Sequence, residues 1–239
     1  MIKLIAFDLD GTLTQHKSPL GNKNRAVLDR LSQKYKLLMV GAGQCERIFN
    51  QMGRYPIEII GNYGLQYCKY NEKNKSLDTV YDLSFPCDKE SVSARAASLR
   101  EKYGYTDFAG DSVEFHPSGC VTFALLGTKA KIEDKLAFDP DRSKRRAIYG
   151  EVCNVFSDYI VFVGGSSSFD MAPAPYDKRH ALELYCQENG YSHDEVVFVG
   201  DDYGTGGNDA SVYNSDFDFI CVDDYERLED YLKDLLGGE

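Results

Sequence analysis

No stretch of this chain approaches the roughly 18 apolar residues that a membrane-spanning helix needs, and its first apolar run, from Leu4, is cut by Asp8. Neither a membrane anchor nor a secretory leader with a long apolar segment is therefore expected. Basic charge is also scarce: 27 Lys and Arg stand against 38 Asp and Glu, for a net charge of −11. No Lys/Arg block is present to drive counterion release from a polyanion, so nucleic acid is not an expected partner. One small basic cluster, Arg142, Lys144, Arg145 and Arg146, sits among acids and reads as a solvated helix face. Seven cysteines are scattered with no CxxC and no Cys/His spacing. Such a set argues against a disulfide framework or a zinc site and for reduced thiols in a cytoplasmic protein. Internal repeats and low-complexity segments are absent as well.

What is present is a folding chain. Its 239 residues are 43% hydrophobic and 13% aromatic, enough to bury a substantial core and unlike a disordered composition. Residues 3–8 form a strand-like apolar run, followed by a helix pattern near 22–34, a strand at 37–40 and a helix near 44–52. A third strand follows at 57–60. Strands alternating with helices across short Gly-rich turns predict a parallel, doubly wound sheet. Residues 65–82 read as antiparallel strands around a turn at 71–74. From Phe85 the rhythm changes: helix 88–104, a hairpin at 112–116 and 120–126, a helical stretch at 130–155, and strands at 158–163 and 168–172. The α/β alternation then resumes with helix 178–189, strand 196–199, a short helix at 209–213, strand 217–222 and helix 225–236. The expected architecture is one α/β core, residues 1–84 and 176–239, interrupted by an α+β insertion at 85–175.

Two acid clusters stand out. The buried-strand pattern Leu4–Phe7 ends in Asp8-Leu9-Asp10-Gly11-Thr12, and Val196–Val199 ends in Gly200-Asp201-Asp202, with Gly206-Gly207-Asn208-Asp209 beyond. Open α/β sheets hold their ligands at the carboxyl ends of strands, so the clusters should converge if the strands are neighbours. Paired carboxylates repel and call for a cation, a shared proton or a basic neighbour. Oxygen-only ligands suit a hard cation, Mg²⁺ above all, which also takes substrate phosphate. Lys178 opens a helix and could neutralise a phosphate beside these acids.

In that order, Asp-x-Asp-Gly-Thr, a helix-opening lysine and Gly-Asp-Asp…Gly-Gly-Asn-Asp resemble the haloacid dehalogenase superfamily of phosphotransferases. The inserted unit is similar to that superfamily's C2-type cap. Gly164-Gly165-Ser166-Ser167-Ser168-Phe169-Asp170-Met171-Ala172-Pro173, followed by Asp177-Lys178-Arg179, resembles the eukaryotic-type phosphomannomutases. The resemblance covers essentially the whole chain and is weakest across 85–155.

It implies a doubly wound, Rossmannoid core in which Asp8 attacks phosphorus to form an aspartyl-phosphate and Asp10 acts as general acid and base. Mg²⁺ would be held by Asp8, the Asp10 carbonyl and Asp201, Lys178 would share the neutralising load, and Asp209, with Asp202, would position the metal waters and the lysine. Gly11, Lys178 and Asn208 would help hold the phosphate. Ser168 and Asp170 match the family's sugar-contacting pair. A small phosphorylated metabolite, such as a sugar phosphate, is the implied substrate, and a homodimer through the cap is compatible with the resemblance.

Two departures bear on the reaction. The superfamily places a Ser or Thr after its second strand to hold phosphate, yet no such residue lies between Leu37 and Gly61. Backbone amides of the Gly41-Ala42-Gly43 turn are expected to serve instead, with Gln44 or Asn62 assisting. In the cap, His116, Thr128 and Lys135 stand where phosphomannomutases carry arginines, and lysine lacks the bidentate fork. A mutase must grip phosphate at both ends of its substrate whereas a phosphatase needs only the core site. Hydrolysis of a phosphate monoester is therefore expected ahead of mutase activity, with a non-catalytic sugar-phosphate-binding module and another metal-dependent esterase as further alternatives.

Overall fold

The computed structural model describes residues 1–237, which fall into two units. The first comprises Met1–Asp82, Lys178–Gly204 and the chain from Asp209 onward; the second comprises Leu83–Asp177 with Thr205–Asn208.

The first unit begins with β1 (Leu4–Phe7), α1 (Asn22–Leu31), β2 (Lys36–Val40), α2 (Cys45–Gln51) and β3 (Glu58–Gly61), then the hairpin β4 (Gln66–Asn71) and β5 (Ser76–Asp82). The second unit supplies α3 (Lys89–Tyr103), β6 (Val113–Phe115), β7 (Val121–Ala124), α4 (Ile132–Phe138), α5 (Ser143–Val155), β8 (Tyr159–Phe162) and β9 (Ser168–Pro173). The first unit resumes with α6 (Lys178–Asn189), β10 (Val196–Gly200), α7 (Ala210–Tyr213), β11 (Asp218–Cys221), α8 (Leu228–Tyr231) and α9 (Lys233–Leu236).

In the first unit the sheet order is β11-β10-β1-β2-β3-β4-β5. β11 through β3 run parallel, and β4 and β5 are antiparallel. All four residues of β1 are buried. Side chains alternate across a strand, so Ile5 and Phe7 enter one apolar cluster with Phe49 and Leu28, while Leu4 and Ala6 enter another with Leu182 and Phe198. Burial on both faces is why the parallel strands read as continuous apolar runs. The register Phe7↔Val199 and Phe7↔Met39 brings the ends of β1, β10 and β2 to one edge.

In the second unit an antiparallel sheet ordered β6-β7-β9-β8 packs Phe123, Phe169 and Met171 with Val92 and Ala96 of α3 and Val152 of α5. Asp88 caps α3, accepting from Ser91 N at 3.0 Å. Gly206 lies in sequence between the first unit's last two segments yet belongs here, its carbonyl accepting from Val163 N at 2.7 Å.

Three expectations need correction. The 130–155 stretch is two helices, because Pro140 disfavours helix at Asp139 and the Asp139 carboxylate accepts from Lys144 N (2.9 Å) and Arg145 N (3.1 Å), opening a new helix. The 225–236 segment is a 3₁₀ turn, 225–227, and the two short helices α8 and α9. Most consequentially, the basic cluster is not wholly solvated. Arg145 is 1% exposed; its Nε donates to Asp139 Oδ2 at 2.8 Å and its Nη1 to the carbonyls of Gly164, Gly165 and Ser168. Burial of a guanidinium is tolerable because an anion and carbonyls meet its donors.

Candidate active site

β1 delivers Asp8 and β10 delivers Asp201 from adjacent parallel strands. Asp209 stands at the start of α7, and α6 begins with Lys178. These elements bring four charged side chains together in the first unit. Lys178 Nζ lies 2.6 Å from Asp8 Oδ1 and 2.7 Å from Asp209 Oδ1, with Lys178 and Asp209 both fully buried. Carboxylate oxygens of Asp8, Asp201 and Asp209 lie within 4.8 Å of one another.

Local packing fixes each acid. Thr12 Oγ1 donates to Asp201 Oδ1 at 2.9 Å. Gly11 takes a left-handed φ of +101°, and a β-carbon there would come within 2.3 Å of Asp201 Oδ2. Glycine is needed on both counts, conformation and close approach. Asp209 Oδ2 accepts from the amides of Asp201 (3.2 Å) and Asp202 (3.0 Å) while its Oδ1 takes Lys178. Asp209 thus orients the lysine and the Asp201 loop together.

The electrostatics are unbalanced. Burial, above all, pushes the Asp8 carboxyl well above the usual carboxylate range; Lys178 opposes this, and Asp209 and Asp201 add to it. Asp201 is pushed up to about 6, chiefly by burial and then by Asp209. Burial alone would lower Lys178, but Asp209 and Asp8 outweigh it and hold the ammonium above its ordinary value. Three clustered carboxylates against one ammonium leave negative charge that a hard divalent cation would neutralise, and an all-oxygen donor set suits Mg²⁺.

Asp10 stands outside that oxygen cluster. Its Oδ1 accepts from Lys17 N (2.8 Å) and Gln51 Nε2 (2.7 Å), and Arg47 Nη1 lies 3.6 Å from its Oδ2. Sequence reasoning did not anticipate Arg47 or Gln51; their spacing of four on α2, with a direct 2.8 Å bond between them, was the available signal. In the turn after β2, Gly41 N is committed to Ile60 O at 2.9 Å and the next helix's Cys45 N to Gln66 Oε1 at 2.8 Å. The Gly43 carbonyl accepts from Asn62 N at 2.8 Å.

Asn208, Ser168 and Asp170 belong to the second unit. There Asp170 Oδ1 accepts from Thr122 Oγ1 at 3.0 Å, whose oxygen is 3.1 Å from His116 Nε2, and Ser168 Oγ donates to Gly164 O at 3.1 Å. Lys135 Nζ donates to Thr128 O at 3.2 Å, and Thr128 Oγ1 accepts from Asp111 N at 3.0 Å. Two of the three positions where arginines were expected are thus tied to each other.

The fold has clear counterparts. An IMP-bound IMP-nucleotidase mutant from Plasmodium falciparum superposes with a TM-score of 0.69 at 15% identity, over 98% of this chain and 68% of that one. A phosphatase of the haloalkanoate dehalogenase superfamily from Bacteroides thetaiotaomicron gives 0.63 at 16% identity, over 98% and 95%. The fold is thus that of the haloacid dehalogenase-type hydrolases, with an acid cluster at the carboxyl edge of its parallel sheet.

A narrower kinship comes from sequence. The family profile described as eukaryotic phosphomannomutase matches residues 107–222. Phosphomannomutase of Saccharomyces cerevisiae is 25% identical over 222 residues, covering 88% of this chain and 84% of the relative. That of Encephalitozoon cuniculi is 26% identical over 255 residues, covering 98% and 96%. In sequence the chain is thus similar to the eukaryotic phosphomannomutases.

Proposed function

We propose that the protein is a Mg²⁺-dependent phosphotransferase of a small phosphorylated sugar, and that it moves the phosphoryl group between sugar positions in the manner of a phosphomannomutase. The observation carrying the chemistry is the buried Asp8–Lys178–Asp209 chain closed by Asp201. The names of the relatives favour transfer to sugar over transfer to water, reversing the order expected from the sequence.

In the forward step Asp8 Oδ forms a bond to phosphorus as the bond to the leaving oxygen breaks, and Asp10 gives that oxygen its proton. In the second step Asp10 takes the proton of the incoming hydroxyl, which attacks phosphorus and frees Asp8. Lys178 holds Asp8 in place and offsets charge on the phosphoryl oxygens; such transfers depend on alignment and electrostatics more than on bond-making by the protein. A Mg²⁺ held by Asp8, Asp201 and the Asp10 carbonyl would screen the nucleophile from the phosphate's charge, with Asp209 setting the geometry. Ser168 and Asp170 are assigned to sugar hydroxyls, and Gly11, Asn208 and the Gly41-Ala42-Gly43 turn to phosphate. The seven free cysteines support a reducing compartment, the cytoplasm, as the location.

Hydrolysis is retained as a second reading because His116, Thr128 and Lys135, where the family resemblance led to an expectation of arginines, offer no bidentate guanidinium for a distal phosphate. The deciding assay follows mannose 1-phosphate with Mg²⁺ and a hexose bisphosphate primer by phosphorus NMR. Isomerisation to the 6-phosphate faster than phosphate release supports the mutase; phosphate release alone supports the phosphatase. Neither product, with wild type matching Asp8→Asn, overturns both.

A further inference from the structure

We infer that Arg47 is the residue that grips the transferring phosphoryl group in place of the missing hydroxyl after the second strand, an inference resting on the phosphotransfer reading above. Four observations meet at this side chain. First, the register of β2 with β1 sets the 41–44 turn at the same sheet edge as Asp8, where the family's Ser or Thr would stand, and no hydroxyl of either type occurs between Leu37 and Gly61.

Second, the turn's backbone is partly spent: Gly41 N and Cys45 N both have partners within the protein. Third, the guanidinium of Arg47 lies directly over Gly43. A β-carbon at 43 would be 2.1 Å from its Nη2, 2.4 Å from Nε and 2.6 Å from Cζ. Gly43 does not adopt a left-handed φ, so the backbone there would accept another residue. A side chain at 43 and the Arg47 guanidinium in its present position would compete for the same space, and the flexible arginine would be the one to move. The guanidinium therefore occupies the space into which a side chain at 43 would project.

Fourth, the cation sits at the chemistry: Arg47 Nη1 is 3.6 Å from Asp10 Oδ2 and 2.8 Å from Gln51 Oε1. The side chain is 45% exposed, and a guanidinium has five N–H donors in a planar fork that matches phosphate oxygens in pairs. Gln51 occupies one donor, so donors are left for a phosphoryl group on Asp8 or on substrate, while Asp10 and Gln51 hold the fork in register.

The test is binding of inorganic phosphate to the Mg²⁺-loaded protein by calorimetry, which needs no turnover and so separates this inference from the reading beneath it. Wild type, Arg47→Ala, Gly43→Ser and the double variant Gly43→Ser/Arg47→Ala are compared, with circular dichroism as the folding check. Loss of charge-assisted bonds predicts about tenfold to a hundredfold weaker phosphate binding in Arg47→Ala. Gly43→Ser alone also weakens binding, since the serine displaces the guanidinium. The double variant recovers most of the loss, because it restores the hydroxyl into cleared space. Unchanged affinity in Arg47→Ala, or a double variant binding no better than Arg47→Ala, overturns the assignment.

Discussion

Replacing Lys178 by Met isolates the electrostatics of the buried cluster. Methionine keeps the length and volume of the lysine stem, so no cavity term enters. What is lost is the ammonium lying 2.6 Å from Asp8 and 2.7 Å from Asp209 at a site with no solvent exposure. Breaking a buried pair leaves uncompensated charge and costs about 3–5 kcal/mol. The cost depends on pH. Asp8 is already held well above the normal carboxylate range and rises further without its cation. An acid whose folded-state pKa is raised contributes stability below its unfolded pKa and loses it as pH climbs through the folded value. Metal-free Lys178→Met should therefore be closest to wild type near pH 4 and fall away steadily towards pH 8. Mg²⁺ at about 100 times its dissociation constant adds roughly 2.7 kcal/mol to either protein, and it should add more to Lys178→Met, whose acids lack their ammonium and so bind the cation more tightly, narrowing the deficit. Urea unfolding in EDTA and in Mg²⁺, from pH 4 to 8, measures all three. A variant as stable as wild type at pH 8 without metal would refute the reasoning.

Other expectations follow from the same geometry. Asp10→Asn should slow sugar phosphates by about 10²–10⁴-fold, the usual worth of general acid catalysis, while an aryl phosphate with a good leaving group is nearly spared; equal losses on both would make Asp10 structural. Asp201→Ala should lose Mg²⁺ affinity in calorimetry without loss of the fold, because Asp201 is part-exposed and tied mainly to Thr12. In the second unit burial would raise Asp139, but hydrogen bonds from Arg145 and from the amides of Lys144 and Arg145 outweigh it and hold the carboxyl below its ordinary value. That contribution is present above an unfolded pKa near 4 and is lost as pH falls through the folded value. Thermal unfolding should thus show wild type losing more stability than Asp139→Asn below about pH 4.

The legible part of this molecule was the part governed by runs and spacing. Leu4–Phe7 and Val196–Val199 are buried on both faces, so their apolar runs declared buried strands; that the two are neighbours, which brings the acids after each run to one edge, came from the structure. Lys178 could be placed beside them only through the family resemblance, because the strand before its helix, β9, belongs to the other sheet. Arg145 defeated the reading because four basic residues within five positions look alike in sequence, whereas only the fold supplies Asp139 and three carbonyls to one of them. Arg47 was missed for a related reason: its position over Gly43 depends on side-chain reach, which no periodicity encodes. The break at Asp139-Pro140 was readable from the proline and was overridden by the helical composition on either side.

The central claim is that Asp8 accepts the phosphoryl group. Its most direct test is acid quench of the Mg²⁺-loaded enzyme during turnover of a sugar phosphate, followed by borohydride reduction and mass spectrometry of the peptide carrying Asp8. An acyl phosphate is reduced to the alcohol, so the account predicts homoserine at position 8 in wild type and none in Asp8→Asn, which should also be inactive. Turnover with aspartate intact at position 8, or activity surviving in Asp8→Asn, would contradict it.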